Sequence, residues 1–321
     1  MGVTDLERRF DRYQQEHSWL GFPLAVRQKY SDDKGGYLAA TVSYYGFFSI
    51  FPLLLLFVTI LGYVLKDHPH LRQEILDSAL GQFPVIGSQL QVHSLKGNGL
   101  ALAIGAVGAL WAGMGVVLAL EFAFDQLWGV PFVHRADFLR SRLRALLILL
   151  LIGGGSVLAT VLAGTGTNGG SYSAGFKVIG IVLTVALDFG LFLVAFRILT
   201  HRDVTWSELW VGAAVAAVLW AAAQTGGTYY VTHQLKGASD VYGTFALVIG
   251  LLTWIYLGAH ITLLSAEANV VRARRLWPRS FSLLSPAPLT EPDERALRQR
   301  AQIEERRPEE RVEVSFGDEQ K

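Results

Sequence analysis

Asp188 interrupts an apolar run, VIGIVLTVALDFGLFLVAFRIL over 178–199, in a chain of 321 residues. A carboxylate in hydrocarbon is costly, so it must be protonated, paired or in contact with water. At 1.5 Å per residue it lies about 15 Å along a helix made from that run, near mid-bilayer. Gln224, in the next apolar segment, reaches a depth of about 12 Å from the same boundary. The two side chains can therefore share a hydrogen bond. Two chemistries are open: a protonated, bonded carboxyl that holds helices together, or a site for a proton or cation crossing the membrane.

Three more residues belong with this intramembrane polar set. Tyr44 and Tyr45 lie about 9 to 11 Å in from the start of the first apolar segment, and His260 about 15 Å before the end of the last one at Val270. A second group is acidic. Glu121 and Asp125, one helical turn apart, close the second apolar segment, and Glu267 closes the sixth. Acids at a helix C-terminus oppose the macrodipole, so basic partners are expected from Arg135–Arg144 or Arg272–Arg275. The cluster reads either as a structural salt-bridge collar at the inner interface or as a gated site for an ion or substrate.

Catalytic readings find no support. The chain has no cysteine, which excludes thiolate chemistry, disulfides and iron–sulfur clusters. Its eight histidines are scattered, and the one close pair, His68 and His70, lacks carboxylates at metal-site spacing. There is no Walker A loop, dinucleotide fingerprint, G-x-S-x-G elbow or H-E-x-x-H helix, so no catalytic residue, metal or cofactor is expected.

The elements that must position these residues are membrane helices. Half of the chain is hydrophobic and only 17% is charged, with 33 glycines, a polytopic membrane composition. Six apolar segments of spanning length occur at 38–65, 100–120, 145–163, 178–199, 209–231 and 242–268. The expected fold is all-α, with six transmembrane helices. Of 28 lysines and arginines, 23 fall on the side of the two termini and 5 on the opposite side, which predicts cytoplasmic termini. Trp128, Trp206, Trp210 and Trp277 near inner ends, with Tyr229 and Tyr230 near an outer end, suit interfacial anchoring. Arg135, Arg140, Arg142, Arg144, Arg272, Arg274 and Arg275, placed beside spans, are expected to meet anionic lipid headgroups rather than nucleic acid.

Residues 1–37 carry an amphipathic helix with Leu6, Phe10 and Tyr13 on one face, followed by a second piece near Trp19 to Tyr30. This segment either lies on the inner membrane surface or packs against cytoplasmic loops. The loop from Lys66 to Gly99 spaces Leu71, Ile75, Leu76, Leu80 and Phe83 for an external amphipathic helix. Gly97, Ala101, Gly105, Ala109 and Gly113 recur every fourth residue, most simply as a helix-packing seam, with a dimer interface or ligand groove as the alternatives. The tail over 279–321 mixes prolines with charges of both signs and is expected to be mostly disordered around one short helix over 292–307.

Three stretches, YLAATVSYYGFFSIFPLLLLFVTILGYVL, LEFAFDQLWGV and YGTFALVIGLLTWIYLGAHITLLSAEANVVR, resemble the YihY/BrkB family of bacterial inner-membrane proteins across about residues 1–280. Ser43 stands where alanine is usual in the first motif, and Ala266 and Ala268 replace the commoner glycine and leucine around Glu267 in the last; the small or apolar character is kept. The resemblance implies a six-span helical protein of the plasma membrane. It also implies a role in transport or lipid translocation, because family members are associated with serum resistance and envelope lipid export; the alternative is a membrane scaffold or envelope-assembly partner. It supplies no catalytic residues. The ribonuclease label once attached to the family has no phosphodiesterase constellation to support it in this chain.

Overall fold

A computed structural model describes residues 3–64, 67–70, 73, 99–135, 137–167, 174–234, 239–280 and 289–316. Among them are nine α-helices: α1 (Val3–Glu16), α2 (Ser18–Asp32), α3 (Gly35–Val64), α4 (Gly99–Trp128), α5 (Phe138–Thr167), α6 (Ala174–Leu199), α7 (Trp206–Gln234), α8 (Ser239–Arg274) and α9 (Glu291–Gln302). A 3-10 turn, Phe132–His134, joins α4 to α5. The fold is all-α, with no strand among the described residues. Leu71, Ile75, Leu76, Leu80 and Phe83, expected to form an external helix, lie outside the described residues.

Helices α3 to α8 run for 26 to 36 residues, or about 39 to 54 Å at 1.5 Å per residue. Such lengths exceed what a compact soluble core uses and match a bilayer with its headgroup zones. Among the described residues, Val107–Trp128, Val182–Leu199, Trp206–Gly227 and Val248–Arg274 are long and apolar enough to cross a membrane. A count of six rests also on the apolar segments within α3 and α5. The chain is thus a multi-pass membrane protein whose helices turn apolar side chains toward neighbours and toward lipid alike. Leu150 of α5 is 73% exposed while Ile148, two residues earlier, is fully buried.

The packing is organised around α3, α4, α7 and α8. Helix α3 lies against α4 and α8, and α7 lies between α6 and α8. Small residues set these distances. Ala109 is buried, and a Cβ at Gly113 would sit 2.6 Å from Leu53 Cδ2, so this part of the small-residue seam is an internal surface for α3. Helices α7 and α8 meet more closely still. A Cβ at Gly212 would strike the Ser265 carbonyl oxygen, and the Gly212 N–H donates to Asn269 Oδ1 at 2.6 Å. Asn269, 1% exposed, thereby ties α8 to the first turns of α7. Gly212→Ala should separate the two helices and cost about 2 to 3 kcal/mol. The thermal midpoint in detergent should fall, whereas Gly226→Ala, with open space around its Cβ, should leave it in place.

Parts of both terminal segments pack onto the bundle. Helix α2 packs along α8 and buries Ala25, Val26, Lys29 and Tyr30, so the second piece of the N-terminal segment is packed, while Phe10 and Tyr13 of α1 stay exposed. The tail, expected to be mostly disordered around one short helix over 292–307, is described over 289–316, where that helix is Glu291–Gln302. The Thr290 hydroxyl accepts from the Asp293 N–H while the Asp293 carboxylate accepts from the Thr290 N–H, a reciprocal cap that starts α9. Its dense charge is compatible with order because the buried members are paired, as described below. Trp128 also departs from its expected place: it is 1% exposed, inside the bundle, whereas Trp206 and Trp210 are exposed at 54% and 48%.

Candidate functional site

The C-terminus of α4 is the point on which the polar groups converge. Gly129, at φ +64°, ends the helix in the left-handed conformation, with its N–H bonded to Gln126 O and the Val130 N–H to Asp125 O at 2.8 Å. The last carbonyls of α4 remain to be satisfied, and three other elements supply donors. Lys29 Nζ of α2 donates to Leu127 O at 3.1 Å, Gln299 Nε2 of α9 to Trp128 O at 3.0 Å, and Arg274 Nη2 of α8 to the same oxygen at 3.2 Å. Two of these donors are cations at the negative end of the helix dipole, where they are favoured.

Lys29 also belongs to a buried triad. Its ammonium contacts the Asp33 carboxylate and lies 3.7 Å from Glu267 Oε2, with all three side chains at most 5% exposed. Burial alone would push the Lys29 ammonium down, but Glu267 and Asp33 outweigh it and hold its pKa above the ordinary value. The neighbouring Tyr30 reaches further along α8. Its hydroxyl pairs with His260 Nδ1 at 2.8 Å, the rings meet edge to face at 4.8 Å, and burial raises the phenol's pKa so that it stays neutral. Tyr30, His260 and Tyr256 line a groove of about 1170 Å³ bounded by α2, the start of α3, α7 and α8.

The acids of α4 form a separate network. His201 Nδ1 is 2.7 Å from Asp125 Oδ1, and its Nε2 is 4.0 Å from Glu121 Oε2. Arg135 Nε lies 3.9 Å from Asp125 Oδ2, and Arg135 Nη2 donates to Gln126 Oε1 at 2.7 Å. The guanidinium is sandwiched against Phe132 and Phe122, at 4.0 and 5.0 Å from their ring centres, and burial lowers its pKa from the ordinary arginine value. Arg272 donates to Ser207 O at 2.7 Å and lies over Trp210. Several of the arginines expected at headgroups are therefore engaged with protein acceptors. Arg140, at 76% side-chain exposure, faces outward.

A third network fastens the tail. Arg279, 1% exposed, donates from Nε to Asp293 Oδ1 and forms an ion pair through Nη2 with Asp32 Oδ2, each at 2.8 Å, while Gln14 Nε2 of α1 donates to Arg279 O at 2.5 Å. Burial acts to raise the Asp293 pKa, but bonds from Arg279, the Ser280 N–H and Thr290 overcome it and hold the carboxyl below its ordinary value.

The structure thus divides the residues singled out from sequence. His260 sits in the groove. Tyr44 and Tyr45 are 59% and 46% exposed, stacked edge to face on the outside of α3, and do not line it. Asp188 and Gln224 lie half-buried on the adjacent helices α6 and α7. Glu121 and Asp125 share His201, while Glu267 joins Lys29. Sequence reasoning passed over Lys29, Tyr30, Asp33, His201, Arg279 and Asp293. Of these, His201 had a readable signal, because two acids one turn apart demanded a basic partner from a neighbouring span end. No group of three or more metal-ligating side chains is assembled among the described residues.

Comparison with known proteins agrees with this architecture. A family profile described as "Virulence factor BrkB" matches residues 26–283. A UPF0761 membrane protein of Pseudoalteromonas atlantica is 25% identical over 247 residues, covering 73% of this chain and 79% of that protein. Those of Azotobacter vinelandii and Chromohalobacter salexigens are each 28% identical, over 81% and 75% of this chain. The chain spans 65% and 60% of the length of these last two relatives. No solved structure matches.

Proposed function

The chain belongs to the BrkB family, and on that premise we propose that it is a non-enzymatic translocator of an amphipathic substrate in a bacterial plasma membrane, with both termini in the cytoplasm. The division of 28 basic residues into 23 and 5 supports that orientation. The groove carries the functional reading: it opens beside α2 and reaches His260 on α8, so a polar group entering from the inner face would meet hydrogen-bonding partners partway into the bundle. Asp188 and Gln224, half-buried on α6 and α7 and outside the groove's lining, are the further polar groups that such a path would use.

The test is transport by the full chain reconstituted in vesicles loaded with labelled lipid or an ion-sensitive dye. Asp188→Asn should slow transport at least about tenfold while leaving the thermal midpoint near that of the parent, as expected for an ionisable group on a pathway. An unchanged rate removes Asp188 from the path. The rival reading, a scaffold for envelope assembly, draws on the folded tail, whose α9 presents an ordered face at the end of the bundle. It is favoured if reconstituted protein moves nothing and a stable partner crosslinks to residues 289–316.

A further inference from the structure

The geometry points to the groove beside His260 as a binding site for a lipid with an anionic phosphate headgroup, taken from the leaflet at the basic end of the bundle. This inference rests on the translocator reading for its purpose, although binding is tested independently of transport. The groove's volume of about 1170 Å³ exceeds what an ion or a free phosphate fills and is at the scale of a lipid headgroup with part of its chains. Its walls are divided by chemistry. Phe22, Ala40, Val215 and Leu264 give an apolar side, whereas Tyr30, Tyr256 and His260 offer hydroxyl and imidazole groups.

Charge selects the headgroup. Arg27 and Lys34 line the groove and are exposed, and neither has a carboxylate within ion-pair distance among the described residues. Their neighbours contrast with them: Lys29 is neutralised by Asp33 and Glu267, and Arg279 by Asp32 and Asp293. Two cations outside any ion pair among the described residues therefore line the groove, Lys34 also bordering a second pocket that holds Asp32, Asp33 and Glu304, and together they complement an amphipathic anion. The backbone adds an independent observation. Lys34 holds φ at 57° in the turn from α2 to α3, a left-handed position that glycine or asparagine fills at less cost. Tyr37, 78% exposed and also lining the groove, provides an aromatic ring of the type that settles at headgroup level.

The experiment uses the full chain in nanodiscs of phosphatidylcholine doped with phosphatidylglycerol, with the retained lipid counted by native mass spectrometry. The parent protein should retain phosphatidylglycerol in preference to phosphatidylcholine, and Arg27→Gln with Lys34→Asn should reduce that preference by about tenfold. Both side chains are exposed and asparagine tolerates the left-handed turn, so the thermal midpoint should not move. Arg307→Gln, an exposed tail change, should leave retention intact. Equal retention by parent and double variant overturns the site. An equal loss with Arg307→Gln overturns it in favour of nonspecific surface charge, and displacement of the lipid by inorganic phosphate in favour of a free-anion site. Selective retention in a protein that fails to transport would leave this site standing and remove the translocator reading.

Discussion

Lys29→Ala should destabilise the protein by about 3 to 5 kcal/mol, the cost of leaving buried charge unpaired. The substitution removes the cation between Asp33 and Glu267 and the donor to Leu127 O at once. The remaining carboxyls, at 5% and 0% side-chain exposure, cannot both stay ionised without it. Thermal unfolding in detergent should show the loss. Lys29→Met combined with Asp33→Asn and Glu267→Gln should recover a large part of it, because removing all three charges avoids the penalty that removing one creates. A triple variant as unstable as Lys29→Ala would mean that the ammonium matters as a donor to the α4 carbonyl rather than as a counter-charge. The pH dependence has a definite sign. The folded pKa of Lys29 lies above its ordinary 10.5, so its contribution is complete below that value and is lost only as pH rises through the higher folded value.

The tail should respond in the opposite sense. Asp293→Ala leaves Arg279, 1% exposed, without its closest buried carboxylate and removes half of the reciprocal cap on α9. The joint cost is about 3 to 5 kcal/mol, concentrated in the docking of 289–316, so trypsin cleavage after Arg295, Arg298 and Arg300 should accelerate by roughly a hundredfold or more. The rest of the bundle should keep its resistance. Because the folded pKa of Asp293 lies below the ordinary 3.8, its contribution is present above that value and disappears as pH falls toward the folded one. A fluorophore at Ser315→Cys should report undocking in that acid range in the parent chain. Asp293→Asn should already be undocked at neutral pH; a tail that stays docked would place its stability in Ala296, Gln299 and the backbone bonds from Phe132 and Val133 to Ile303 and Glu305.

The membrane helices were readable because a bilayer imposes length and apolarity on each segment separately. Helix starts and ends were less so: α4 continues to Trp128, well past the apolar segment that stops near 120, since a helix inside protein can carry Glu121 and Asp125 once partners cover them. His260 was legible as an anomaly, one imidazole in an apolar run, but its partner was not. Tyr30 and Lys29 sit in a polar segment where such residues attract no notice. Their meaning is created by α8, more than 200 residues away in sequence, as the 230-residue separation of Tyr30 and His260 records. Composition did not reveal that the tail's short helix docks on the bundle, for a related reason. It counts charges without knowing which are paired, although Thr290 and Asp293, three apart ahead of a helix, carried a capping signal.

That separation has a temporal side. Gln14 and Arg279, bonded at one joint, are 265 residues apart, and Tyr30 waits 230 residues for His260. At ordinary translation rates of about 5 to 20 residues per second, α2 exists for roughly 10 to 50 s before the helix that receives it has been made. During that interval α2 has to remain at the membrane surface or on a provisional partner, with Lys29 lacking Glu267. The basic end of the bundle therefore closes last, after every other long helix has been synthesised. A chain arrested before α8 would present this end open, with its apolar side uncovered, which makes the joint between the first and last packed helices the step at which an unfinished molecule differs most from a finished one.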